Sequence, residues 1–131
     1  MTLQPGKCYE NAYRMMTGYG DDRGPLCRLE ENIGGEVLLV HGYPKLTMGP
    51  HKGRVYGHAW LHLVKLGQVV DGGCGCLADV GLYYQVGQIK TEQCRSYCRA
   101  GAKQQYEDTG SYGPWGDVPE GALFEETIEA S

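Results

Sequence analysis

Glycine sets the first limit on what this chain can become. There are 21 glycines among 131 residues, spread from Gly6 to Gly121. Each one inside a helix or strand costs about 0.5–1 kcal/mol relative to alanine, so long regular elements are disfavoured wherever glycine recurs. The chain is therefore expected to fold from short elements joined by many turns and loops. Hydrophobic residues make up 41% and aromatics recur along the chain, which fits a packed core rather than disorder. A chain of this length is one domain, with a core that buries roughly two thirds of the unfolded surface.

Local patterns divide the chain. A first helix is expected over Lys7 to Met16: Pro5 and Gly6 precede it, Ala12, Tyr13, Met15 and Met16 supply apolar surface, and Gly18 and Gly20 end it. Gly18 to Gly35 reads as loop, with a short strand or helical turn at Leu26 to Glu30. Glu36 to Tyr43 reads as a buried strand, and Lys45 to Gly53 as an exposed loop broken by Pro50. Arg54 to Lys65 and Gln68 to Asp71 read as an antiparallel hairpin closed at a tight Leu66-Gly67 turn. Gly72 to Cys76 reads as a flexible turn, Ala78 to Ile89 fits helix and extended chain equally, and Thr91 is the expected N-cap of a helix over Glu92 to Gln105. The fold class is α+β, with an N-terminal helix carrying Cys8 packed on a small antiparallel sheet. Residues 1–118 form this domain. Residues 119–131 read as an acidic tail expected to fray, and Tyr112 and Trp115 as a lid packed on the sheet.

Charge narrows the partners. Sixteen acidic and twelve basic residues give a formal net charge of -4, with no basic run. That argues against nucleic acid held through phosphates and against docking on anionic lipid. Val37 to Val40 and Leu61 to Leu66 are too short to span a bilayer, and the residues after Met1 lack the pattern of a signal peptide. A cytoplasmic location is expected. The compact glycine-rich chain would suit a bacterial or bacteriophage accessory protein.

Six cysteines stand at positions 8, 27, 74, 76, 94 and 98. In a reducing compartment they are free thiols, which leaves thiol chemistry or metal binding. Cys8 falls at the expected start of the first helix, where free N–H groups and the helix dipole favour a thiolate and can receive an oxyanion. A cysteine nucleophile needs a proton carrier, for which histidine is suited near neutral pH. His58 lies in Gly57-His58-Ala59-Trp60 at a strand, and Asp71 closes the next strand after Val69-Val70. An aspartate on the imidazole would fix its tautomer and stabilise the imidazolium. Counted from the turn, His58 and Asp71 are offset, so a bulge or a longer turn is expected to bring them level.

Cys8-Tyr9-Glu10-Asn11-Ala12, Gly57-His58-Ala59-Trp60-Leu61 and Val69-Val70-Asp71 together resemble the papain-like cysteine enzymes of the transglutaminase-like branch. The same order is similar to the small leader peptidases of lasso-peptide biosynthesis. The likeness covers about the first 75 residues. It implies a papain-like, transglutaminase-like fold in which Cys8 is the nucleophile, His58 the base and Asp71 the orienting acid. It implies a hydrolase or acyl-transferase (protease, amidase, deamidase or transglutaminase-type) that acts on a peptide or protein amide through a thioester, with no cofactor. Gln4 stands where an oxyanion-hole glutamine would be sought, and Tyr9, Asn11 and Trp60 are candidates for the wall of the site.

Alternatives stand beside each assignment. His62 is an even step from His58, so it shares its strand face and could be the base instead. His41 is expected to be structural, and His51 solvent-exposed. Cys74, Cys76, Cys94 and Cys98 could hold zinc, although the first pair is closely spaced and the second falls at i, i+4 on the expected helix. The rival from another class is a non-enzymatic protein-binding module in which the three residues are an incidental look-alike.

Overall fold

The computed structural model describes residues 8–17, 36–71 and 76–123. Helix α1 spans Cys8–Thr17. Ala12 and Met16, one turn apart, face inward, while Glu10 and Arg14 form an i,i+4 ion pair of 2.9 Å on the outer side. Four strands follow: β1 (Val37–Gly42), β2 (His58–Leu63), β3 (Gln68–Asp71) and β4 (Cys76–Asp79). Helix α2 (Val80–Gly87), strand β5 (Arg95–Tyr97) and helix α3 (Arg99–Thr109) complete the described elements. The fold is α+β, and the five strands form one antiparallel sheet in the order β4-β3-β2-β1-β5.

Side-chain alternation gives the sheet two buried faces. On one, Val37, Leu39, Ala59, Leu61 and Leu63 pack against Ala12 and Met16 of α1, Ala102 of α3 and Trp115. On the other, Val40, Trp60 and Val69 pack with Ile89 and with Tyr83 and Tyr84 of α2. Trp60, Met16, Leu39 and Leu61 are fully buried, each contributing roughly 1.5–3 kcal/mol of burial. Among the described residues, no helix is long and apolar enough to cross a membrane.

The central strands keep their expected places with trimmed ends. β1 loses a residue at each end, β2 begins only at His58, and β3 runs over Gln68–Asp71 as expected. The β2–β3 connection is a four-residue turn, Val64 to Gly67, rather than a two-residue one, and Gly67 (φ +62°) supplies its left-handed residue. The undecided stretch Ala78 to Ile89 divides into the end of β4 and α2. Asp79 caps α2 by accepting a hydrogen bond of 3.1 Å from the Leu82 N–H.

The helix expected over Glu92 to Gln105 is corrected. Thr91–Gln93 is a 3₁₀ turn without a side-chain cap, and Arg95–Tyr97 is extended along the outer edge of β1, pairing Leu39 with Tyr97 and His41 with Arg95. An open edge on β1 would leave a row of backbone groups unpaired, and β5 covers it. The helix starts only at Arg99, where the Cys98 sulfur accepts the Gly101 N–H at 3.3 Å, and it ends at Gly110 (φ +71°).

Tyr112 and Trp115 pack on the α1 face, Trp115 against Tyr97 at 5.1 Å and Tyr112 against Tyr106 at 4.9 Å. The stretch from Pro119 to Leu123, expected to open a frayed tail, is tied down. The Leu123 N–H donates to Val55 O at 2.9 Å, and the Gly57 N–H donates to Leu123 O at 2.8 Å. Arg54 Nη2 donates to Gly121 O at 2.8 Å, and Leu123 is buried. The chain therefore doubles back to the segment just before His58. Residues 124–131 lie outside the described residues.

Candidate active site

His58 opens β2 opposite Gly42, the last residue of β1. The pairing is close because Gly42 has no side chain; a Cβ there would collide with the Trp60 indole and approach the Cys94 sulfur at 3.0 Å. Leu61 is opposite Val70, which sets Asp71 level with Trp60 and diagonal to His58 on the same face. Of the two expected devices, a bulge or a longer turn, the structure uses the longer turn, Val64 to Gly67, and the remaining diagonal is spanned by a hydrogen bond of 2.8 Å between His58 Nε2 and Asp71 Oδ2. A carboxylate only accepts, so Nε2 carries the proton. Both side chains are buried. The second ring nitrogen, Nδ1, is buried without a hydrogen-bond partner among the described residues.

The same Asp71 oxygen accepts a second hydrogen bond, 2.6 Å from the Tyr83 hydroxyl of α2. Tyr83 was invisible as a site residue in the sequence because its contact with Asp71 depends on α2 folding onto the sheet. The signal that could have revealed it was Asp79, a strong N-cap residue opening a helix that carries Tyr83 inward. Tyr56 and Trp60 flank the His58 ring at 5.7 and 6.1 Å. Trp60 is thus beside the histidine, but it is fully buried beneath α2. A cavity of about 190 Å³ opens beside Asp71, lined by Pro44, Tyr56, Tyr83, Val86, Gly87 and Ile89.

Cys8 is the first described residue of α1 and is 4% exposed. The start of α1 lies at the same end of the sheet as His58: the Tyr9 ring meets His41 at 4.9 Å, and His41 is opposite Ala59. Ala59 turns toward α1 while His58 turns toward α2, so His58 and α1 lie on opposite faces of the sheet at the same end of β2. Cys8 is not hydrogen bonded to His58 Nδ1. Asn11 is buried one turn into α1, and Gln4 lies outside the described residues.

The other histidines divide by face. His62, opposite Val69, shares the His58 face as expected but sits further along β2, away from Asp71. His41 is enclosed on the α1 face by Tyr9, Tyr97 and Trp115 with ring centroids 4.9, 5.3 and 4.9 Å away. Burial lowers its pKa to about 4, so it is neutral at ordinary pH. His51, expected in solvent, is half-buried.

The cysteine pair 94 and 98 is not helical. The two residues flank extended β5, which puts their Cα atoms about 13 Å apart. Two ligands of one zinc need sulfurs about 4 Å apart, so these two cannot share an ion. Cys74 and the Cys76 side chain lie outside the described residues, and no cluster able to hold a metal is present among those described. Burial pushes the Cys94 thiol upward, which makes it a poor nucleophile. Comparison of the chain with family models, with curated proteins and with solved structures gives no match.

Proposed function

We propose that the protein is a papain-like, transglutaminase-like thiol enzyme, a hydrolase or acyl-transferase that acts on a peptide or protein amide through Cys8, His58 and Asp71. One observation carries this reading. His58 is bound to Asp71 through Nε2, and its Nδ1 is buried without a hydrogen-bond partner among the described residues, at the end of the sheet where α1 presents Cys8. An imidazole oriented by a carboxylate on one nitrogen has its other nitrogen available to take and return a proton.

In the proposed reaction Nδ1 takes the Cys8 proton. The thiolate attacks the carbonyl carbon, and the N–H groups at the start of α1 receive the oxyanion. His58 returns its proton to the departing amine, leaving a thioester on Cys8. Water or a second amine, deprotonated by His58, then attacks the thioester and frees the thiol.

The test is iodoacetamide labelling followed across pH, with the modified peptide identified by mass spectrometry. Cys8 is expected to react well below the ordinary thiol range and to lose that low-pH reactivity in His58→Ala. An unchanged pH profile in His58→Ala overturns the proposal.

A further inference from the structure

Two donors converge on one oxygen of Asp71. Nε2 of His58 lies 2.8 Å from Oδ2 and the Tyr83 hydroxyl 2.6 Å from the same atom. They arrive from different elements, β2 and α2. A carboxylate held only by His58 could turn about its own side-chain torsions and take the imidazole with it. A second donor on the same oxygen braces the carboxylate against that turn. A hydroxyl anchored on a helix supplies that brace. The Tyr83 ring is fixed in turn, lying 5.3 Å from the buried Trp60 indole and 6.3 Å from Tyr84. The brace therefore rests on the core and not on solvent-exposed side chains.

We infer that Tyr83 is a positioning residue: its hydroxyl holds the Asp71 carboxylate, so that the His58 proton stays on Nε2 and Nδ1 keeps its lone pair for proton transfer. The inference rests on the proposed role of Cys8 and His58 and adds a fourth member to it. Tyr83 acts on the imidazole through Asp71. Loss of the hydroxyl leaves the ring, and with it the packing on Trp60, in place. It removes one of the carboxylate's donors, loosens its hold on the imidazole tautomer, and weakens the pairing of imidazolium with thiolate.

The experiment compares intact protein, Tyr83→Phe, Tyr84→Phe and His58→Ala. Two readouts are used: the pH profile of Cys8 alkylation by iodoacetamide, and the ¹⁵N spectrum of the His58 imidazole. In Tyr83→Phe the acid limb of the profile is expected to move up by about one pH unit, a tenfold loss of labelling at fixed pH on that limb. The nitrogen spectrum is expected to change from a single Nε2–H tautomer to a mixture. Tyr84→Phe removes the neighbouring hydroxyl from a ring that lies on Trp60 at 5.7 Å, and should leave both readouts unchanged. If Tyr83→Phe matches intact protein while His58→Ala does not, the Tyr83 inference is overturned and the enzyme reading stands. Equal shifts in Tyr83→Phe and Tyr84→Phe would mean general loosening, and would also overturn it. If His58→Ala leaves labelling unchanged, the enzyme reading fails whatever Tyr83 does, and the nitrogen spectrum alone decides whether Tyr83 orders the imidazole.

Discussion

His41 and His58 lie on neighbouring strands, one step apart in register, and face opposite sides of the sheet. His58 has a carboxylate on one nitrogen. His41 has neither nitrogen hydrogen bonded among the described residues and is enclosed by aromatic rings. Such a box suits a neutral ring and penalises an imidazolium. The folded pKa of about 4 lies below the ordinary value of 6.5, so the unfolded chain binds this proton more tightly. The contribution of His41 to stability is therefore constant above pH 6.5 and declines as pH falls from there toward 4. The decline amounts to about 3 kcal/mol over that window. Urea unfolding of His41→Leu at pH 7 and pH 4.5 should show a smaller acid-induced loss than the intact protein, whatever the absolute stability of the variant. Equal losses in the two proteins would show that His41 is not the acid-sensitive group.

At the level of elements, α2 is short, uncharged and closed by an awkward residue. Gln88 ends it in the left-handed conformation, at φ 51° and ψ 43°. A residue with a Cβ costs roughly 1–2 kcal/mol there, and glycine does not incur that cost. Gln88→Gly is expected to raise stability by about 1 kcal/mol, read as a higher urea midpoint with an unchanged slope. A lower midpoint would mean that the Gln88 side chain makes contacts worth more than the backbone strain. The same element shows what could be read from the sequence and what could not. Strands β1 to β3 were legible because Val37 to Val40, Leu61 and Val69-Val70 are apolar runs bounded by turn residues. β5 was not, because Arg95-Ser96-Tyr97 carries no pattern of its own and is extended only by pairing with β1. Nor was the start of α3, since a cysteine sulfur does the capping usually done by an oxygen. Of the site, the His58–Asp71 pair was legible from the order of the strands. Its diagonal geometry was not, because that depends on the register and reach of real side chains. Tyr83 came from a helix whose existence the local pattern left open.

On the scale of the whole molecule, the strands nearest in sequence pair with one another, and long-range ties close the ends of the sheet. Leu123 makes one of these, bonded to Val55 and Gly57 from more than sixty residues away. A chain ending at Val118 loses those two backbone hydrogen bonds, the Arg54 bond to Gly121 and the burial of Leu123. Its stability should fall by about 3 kcal/mol in urea unfolding. An unchanged midpoint would show that the segment rests on the domain without supporting it.

That tie also imposes an order in time. During synthesis, Gly57 emerges from the ribosome long before the carbonyl that will accept its N–H has been made. The backbone next to the imidazole gains this partner only when translation has passed Leu123. A nascent chain that has not yet passed Leu123 therefore carries the thiol and the histidine without the strap beside them.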